Sequence, residues 1–125
     1  MRVNEISVKL DRFGGVSFHI QVNFIKNRFV FLEWRNREHP KPFSNLQWVR
    51  PGSIEEFKKE ISLLKIWEWE PNYRKESGII LEGEYWSVKL TTDGQVYMCE
   101  GGEDFPMNWG RFCLALERLT GITFR

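Results

Sequence analysis

The chain has 125 residues, of which 42% are hydrophobic and 28% charged, and its formal net charge is +1. That length suits one domain spanning 1–125, since two halves would each bury too little surface to fold alone, and the balanced composition excludes a disordered or low-complexity chain. No run approaches the roughly 18 apolar residues of a membrane span.

Charges at Arg2, Glu5, Lys9 and Asp11 leave no apolar stretch for a signal peptide, so a cytoplasmic protein without membrane association is expected. Val3 to Leu10 reads as a strand, because Ile6, Val8 and Leu10 alternate with Ser7 and Lys9, and Gly14-Gly15 supply a turn. Val16 to Asn23 alternates strictly, with Val16, Phe18, Ile20 and Val22 forming one apolar face. Phe29 to Arg35 is β-branched and aromatic, which completes a three-stranded antiparallel meander. Pro40, Pro42 and Pro51 then forbid a continuous helix or central strand between Asn36 and Gly52, leaving room only for a short strand at Leu46 to Val49.

Ser53-Ile-Glu-Glu56 is a capping box, and Ile54, Phe57, Ile61 and Leu64 behind it form one helical stripe. Trp67-Glu68-Trp69-Glu70 alternates at period two, which predicts an extended segment with both indoles on one side and both carboxylates on the other. Tyr85 to Thr91 and Gln95 to Cys99 flank Asp93-Gly94, the signal of a type I′ hairpin. A last helix is predicted from Phe105 or Pro106 to Leu119, capped by Gly121, with an edge strand at Ile122 to Phe124. The predicted fold is α+β: an antiparallel sheet, made of the N-terminal meander and a C-terminal hairpin, with two helices packed on one face.

The chemistry-bearing residues are sparse. Cys99 and Cys113 occur in no metal-binding spacing and read as free thiols, although spacing alone leaves a disulfide open. His19 and His39 are the two histidines; neither accompanies a G-x-S-x-G nucleophile elbow, so a Cys–His or Ser–His pair would have to arise from the fold. Gly14-Gly15 and Gly101-Gly102 lack the context of a phosphate-binding loop. The carboxylate pairs Glu68/Glu70 and Glu82/Glu84 are neighbours on single elements rather than groups facing each other across a cleft, which is the arrangement a glycosidase requires. No cofactor or metal site is expected.

Two segments are candidates for binding. Residues 1–50 hold nine Lys/Arg against four Asp/Glu, and the remainder nine against thirteen, so the halves carry +5 and −4. In the acidic half, Trp67, Glu68, Trp69 and Glu70 with Glu100, Glu103 and Asp104 combine carboxylates with indoles, a composition suited to a protein partner that presents positive charge. Glu100, Glu103 and Asp104 also read as an acidic loop entering the last helix, whose N-terminus favours carboxylates. In the basic half, Arg35, Arg37, Lys41, Trp48 and Arg50 interleave cations with stacking rings, which suits single-stranded nucleic acid or carbohydrate. Of the six tryptophans, Trp34, Trp86 and Trp109 fall on predicted apolar faces, while Trp48 and the Trp67/Trp69 pair are expected to be more exposed.

The pattern Trp67-x-Trp69, Tyr73, Trp86-x-Val88-x-Leu90, Gly101-Gly102, Pro106-x-Asn108-Trp109-x-x-Phe112 resembles small bacterial domains of immunity-protein type. The resemblance covers about half the chain and implies a small, cytosolic, non-enzymatic α+β protein that blocks a toxin through a charge-complementary surface. The expectation is therefore an inhibitor that covers an enzyme's active site with its acidic, aromatic surface, and nucleic-acid binding through 35–50 is the rival.

Overall fold

The computed structural model describes residues 2–12, 16–35, 41–42, 53–74, 84–102 and 104–121. The alternating N-terminal segments form β1 (Val3–Arg12), β2 (Val16–Asn23) and β3 (Arg28–Arg35), each antiparallel to the next. Their period of two sets Ile6, Val8 and Leu10 opposite Val22, Ile20 and Phe18, all of them buried. Val3 is buried as well, although it stands an odd number of residues from Ile6. The register against β6 (Glu84–Thr92) slips between Val3 and Glu5, and this bulge resets the alternation. Residues 24–27 close the β2–β3 hairpin, where Asn23 Oδ1 accepts from the Lys26 amide at 2.9 Å and Asn27 adopts a φ of 56°. Asparagine tolerates that left-handed geometry better than most residues.

Strand β4 (Lys41–Pro42) pairs with Leu32 and Glu33 of β3 at one sheet edge, a position that spares the proline a ladder donor. The strands predicted at Leu46 to Val49 and Ile122 to Phe124 lie outside the described residues. Helix α1 (Ile54–Leu64) begins where the capping box placed it, with Ser53 Oγ accepting from the Glu56 amide at 3.3 Å. It stops at Lys65, whose φ of 52° is left-handed.

From there the chain departs from the expected extended segment. Ile66 is buried, and a single 3-10 turn (Ile66–Glu68) forms, closed by the amides of Glu68 and Trp69 donating to the carbonyls of Lys65 and Ile66. The turn has a period of three, so Trp67 and Trp69 do not share a strand face as the Trp-Glu alternation predicted. The strand lies further on, at β5 (Asn72–Arg74), and it runs parallel to β7 (Val96–Gly102).

Strands β6 and β7 form the hairpin around Asp93-Gly94. The turn itself is not type I′, because neither residue has a positive φ. Strand β6 ends at Thr92 and β7 begins at Val96, and the Thr92 amide donates to the Gln95 carbonyl at 2.9 Å, so three residues, 93–95, make the connection. A loop of that length does not need the left-handed pair that a two-residue loop demands. The sheet order is β4-β3-β2-β1-β6-β7-β5, mostly antiparallel, with β5–β7 the parallel exception.

Helix α2 (Trp109–Thr120) starts three or four residues later than predicted, because a turn in which the Trp109 amide donates to the Pro106 carbonyl precedes it. It ends at Gly121, which caps it with a φ of 74°. Phe57, Ile61 and Leu64 of α1 and Phe112, Cys113, Leu116 and Leu119 of α2 join the apolar strand residues in one core. The fold is α+β. None of the helices described is long and apolar enough to cross a membrane.

The turn geometry has a measurable outcome. Gly94→Ala should change the urea-unfolding free energy by less than about 0.5 kcal/mol, since a Cβ there meets nothing within 4 Å and φ is not left-handed. A type I′ turn would instead lose about 1–2 kcal/mol.

Candidate functional site

Trp86 lies on the core side of β6, only 2% exposed, and its indole N–H requires an acceptor there. It donates to the main-chain oxygen of Asp104 at 2.8 Å. Gly101, its register partner on β7, makes this reach sterically feasible. A Cβ at that position would stand 2.5 Å from the Tyr73 carbonyl oxygen, 2.6 Å from Trp86 Nε1 and 2.8 Å from the Asp104 carbonyl oxygen. Strand β5, strand β6 and the acidic loop after β7 therefore close on one another over a residue that has no side chain.

Trp69 packs on this knot. Its ring meets Trp86 edge-on at 6.0 Å and Phe112 at 5.3 Å, and Trp109 lies 4.8 Å from Trp86. Its N–H donates to Asn108 Oδ1 at 2.9 Å, while Asn108 Nδ2 donates to the Leu64 carbonyl at 3.0 Å. Asn108 stands at the N-cap of α2 but makes no side-chain cap, because its amide is used to tie the end of α1 and the indole of Trp69 to the start of α2. Trp67 and Trp69 are both half-buried against the core, which corrects the expectation that this pair is exposed. Trp48 lies outside the described residues.

The two acidic segments meet at this corner of the sheet. The Glu100 amide donates to the Pro71 carbonyl at 3.0 Å, and the Glu70 amide donates to the Tyr73 hydroxyl at 3.0 Å. Glu68, Glu70, Glu100 and Asp104 are all exposed; Glu103 lies outside the described residues. Asp104 Oδ1 accepts from the next amide, Phe105, and α2 carries no acidic residue in its first turn. The acidic loop thus stops short of the helix it was expected to cap. Met107, fully exposed beside Asn108, belongs to the same corner and has no signal in the sequence, where it reads as one more apolar residue before a helix.

The basic candidates are only partly described. The backbone of Arg35 pairs with Val16, and that of Lys41 with Glu33, which places both at the β3–β4 end of the sheet. Arg37 and Arg50 lie outside the described residues.

The fold does bring together one Ser–His pair, Ser7 and His19, with Oγ and Nε2 2.9 Å apart. They are diagonal neighbours on the polar face of β1 and β2. Both strands are paired on each side, so their amides are committed to the ladders and supply no oxyanion donors beside the hydroxyl. Partial burial, and then the charge of Lys9 opposite, push the pKa of His19 below its ordinary 6.5, with Asp11 pulling the other way. Cys99 and Cys113 are free and buried, and desolvation pushes the Cys99 thiol up to about 12, away from any nucleophilic role. Among the described residues, no three His, Cys, Asp or Glu side chains gather as metal ligands. Comparison of the chain with protein-family models, curated proteins and solved structures gives no match.

Gly101→Ala should cost about 1–3 kcal/mol in urea unfolding and shift the tryptophan emission, because backbone atoms on two sides must move to admit the methyl group. A cost below about 0.5 kcal/mol would mean that the knot is loose. For His19, an NMR titration should give a midpoint below 6.5. As pH falls through that value the unfolded chain takes up the proton first, so this ring withdraws stability on acidification until the folded state also protonates. In His19→Gln that part of the acid-side loss should disappear from the urea midpoint measured against pH.

Proposed function

We propose that the chain is a non-enzymatic protein-binding module, an immunity protein or another inhibitor, that covers a partner enzyme's active site with the acidic, aromatic corner built around Trp69. The observation that carries this reading is the immobilisation of the aromatic base. Trp69 and Trp86 each spend their single donor on a neighbouring segment; exposed Glu68, Glu70 and Asp104 belong to the segments that hold them, and exposed Glu100 stands next to Gly101 on the other face of β7. The base beneath the carboxylates is thereby fixed before a partner docks. Its carboxylates supply the complementarity that steers a positively charged partner, and exposed Met107, next in the chain to Asn108, supplies an apolar contact. The scaffold in this reading is a meander and a hairpin with both helices on one face; Glu100 stands on β7, Glu68 in the 3-10 turn, and Glu70 and Asp104 in the segments that join the elements. Glu103 is the neighbour of Asp104 in the chain.

The experiment compares wild type with a chain reversed to Lys at Glu68, Glu70, Glu100, Glu103 and Asp104, each immobilised and exposed to lysate of the source cell. A protein retained by wild type should be lost from the variant, with the purified pair weakened about a hundredfold or more, and its enzymatic activity should fall when wild type is added. Equal retention by both chains, or retention of nucleic acid alone, would overturn the assignment.

A further inference from the structure

The sheet face that does not carry the apolar alternation holds a cavity of about 470 Å³. Its lining includes Ser7 and Lys9 of β1, Ser87 and Lys89 of β6, Glu100 of β7 and Asn72 of β5. Ser7 is registered opposite Lys89 and Lys9 opposite Ser87, so hydroxyls and ammonium groups form a checkerboard across two adjacent strands. The lysines are diagonal neighbours, a separation of about 7–8 Å between backbones, which places one small anion within reach of both. Neither lysine has an ion-pair partner among the described residues. Glu5, on the same face, is taken up by a hydrogen bond from Gln21.

This arrangement runs against the usual economy of a sheet, in which cations are set opposite carboxylates. Two ammonium groups on neighbouring strands repel one another, and the residues directly opposite them are serines; the carboxylates of this face stand to the side, Glu100 diagonal to Lys89 and Asp11 two residues along β1 from Lys9. A dianion would remove the repulsion. A phosphate monoester carries about −1.5 to −2 charges and several strong acceptor oxygens, which matches two lysines and two hydroxyl donors. Glu100 and Asn72 border the same cavity. A carboxylate there disfavours a second phosphate and instead accepts from neutral hydroxyl groups, as the amide oxygen does.

We infer that this cavity binds a small phosphorylated polyol or sugar, with its phosphoryl group between Lys9 and Lys89 and its hydroxyls on Glu100 and Asn72. Glu100 borders both this cavity and the acidic corner, but the phosphate would rest on two lysines that take no part in that corner, and the lysine variants below leave Glu100 in place.

The test is an NMR titration of the folded chain with ribose 5-phosphate, inorganic phosphate and ribose in parallel. Ribose 5-phosphate should bind saturably, shift the amides of Ser7, Lys9, Ser87 and Lys89, and bind about tenfold more tightly than inorganic phosphate; ribose should not saturate. The anion should also raise the midpoint of His19, whose charged neighbours on this face are Lys9 opposite and Asp11 diagonally, with uncharged Leu32 across on β3. Lys9→Gln with Lys89→Gln should weaken binding at least tenfold. Both side chains are exposed, so the fold should survive, which an unchanged thermal midpoint would verify. No saturable binding, shifts located elsewhere, inorganic phosphate binding as tightly as the sugar phosphate, or undiminished affinity in the double variant would each overturn the inference.

Discussion

Strand β1 has one neighbour close to it in the chain and one far from it. On one side it meets β2 across a short turn, and on the other it sets Ile6 opposite Leu90, Val8 opposite Val88 and Leu10 opposite Trp86. This second ladder joins the N-terminal meander to the C-terminal hairpin, and every surface discussed above depends on it. The ladder holds Trp86 at the depth from which its indole reaches the Asp104 carbonyl. It also aligns Ser7 and Lys9 with Lys89 and Ser87 on the opposite face. A pairing between segments so distant in sequence raises the contact order of the fold, which slows folding because the chain between them must be closed before the contacts reward it.

Local patterns in the sequence were readable wherever a short-range rule governs them. Strict alternation marked β2, Ser53 and Glu56 marked the start of α1, Gly121 marked the end of α2, and Asp93-Gly94 marked a hairpin. The Trp67–Glu70 reading failed for a tertiary reason. The Trp67–Glu70 alternation imitates a strand, but burial of Ile66 and the left-handed Lys65 turn the chain into a 3-10 turn there. The choice is made by packing rather than by period. The parallel β5–β7 contact, the Ser7–His19 pair and the Lys9/Lys89 checkerboard depend on registers between strands far apart in the chain, which no spacing within one segment encodes. Of the acidic candidates, composition identified the exposed carboxylates, while the structural part of Trp69 and the presence of Met107 beside them became visible only with the packing.

The division of charge along the chain is not the division of charge in space. The acidic half contributes Lys89, which stands beside Lys9 from the basic half. What the sheet order does separate is its two ends: β7 and β5 carry the acidic corner, whereas β3 and β4 carry Arg35 and Lys41.

The tryptophan cluster has a consequence for light as well as for packing. Trp69, Trp86 and Trp109 lie with ring centroids 4.8 to 6.1 Å apart, and Tyr73 and Phe105 stand against Trp86. Indoles this close share their electronic excitation, so their transitions couple into a joint chiral signal in the ultraviolet. The circular dichroism of this protein is thus a sum of backbone and chromophore, and a helix content calculated from it as though only amides absorbed would be in error. The same coupling makes the emission a property of the group: light absorbed by any one of the three rings is released by whichever holds the lowest energy.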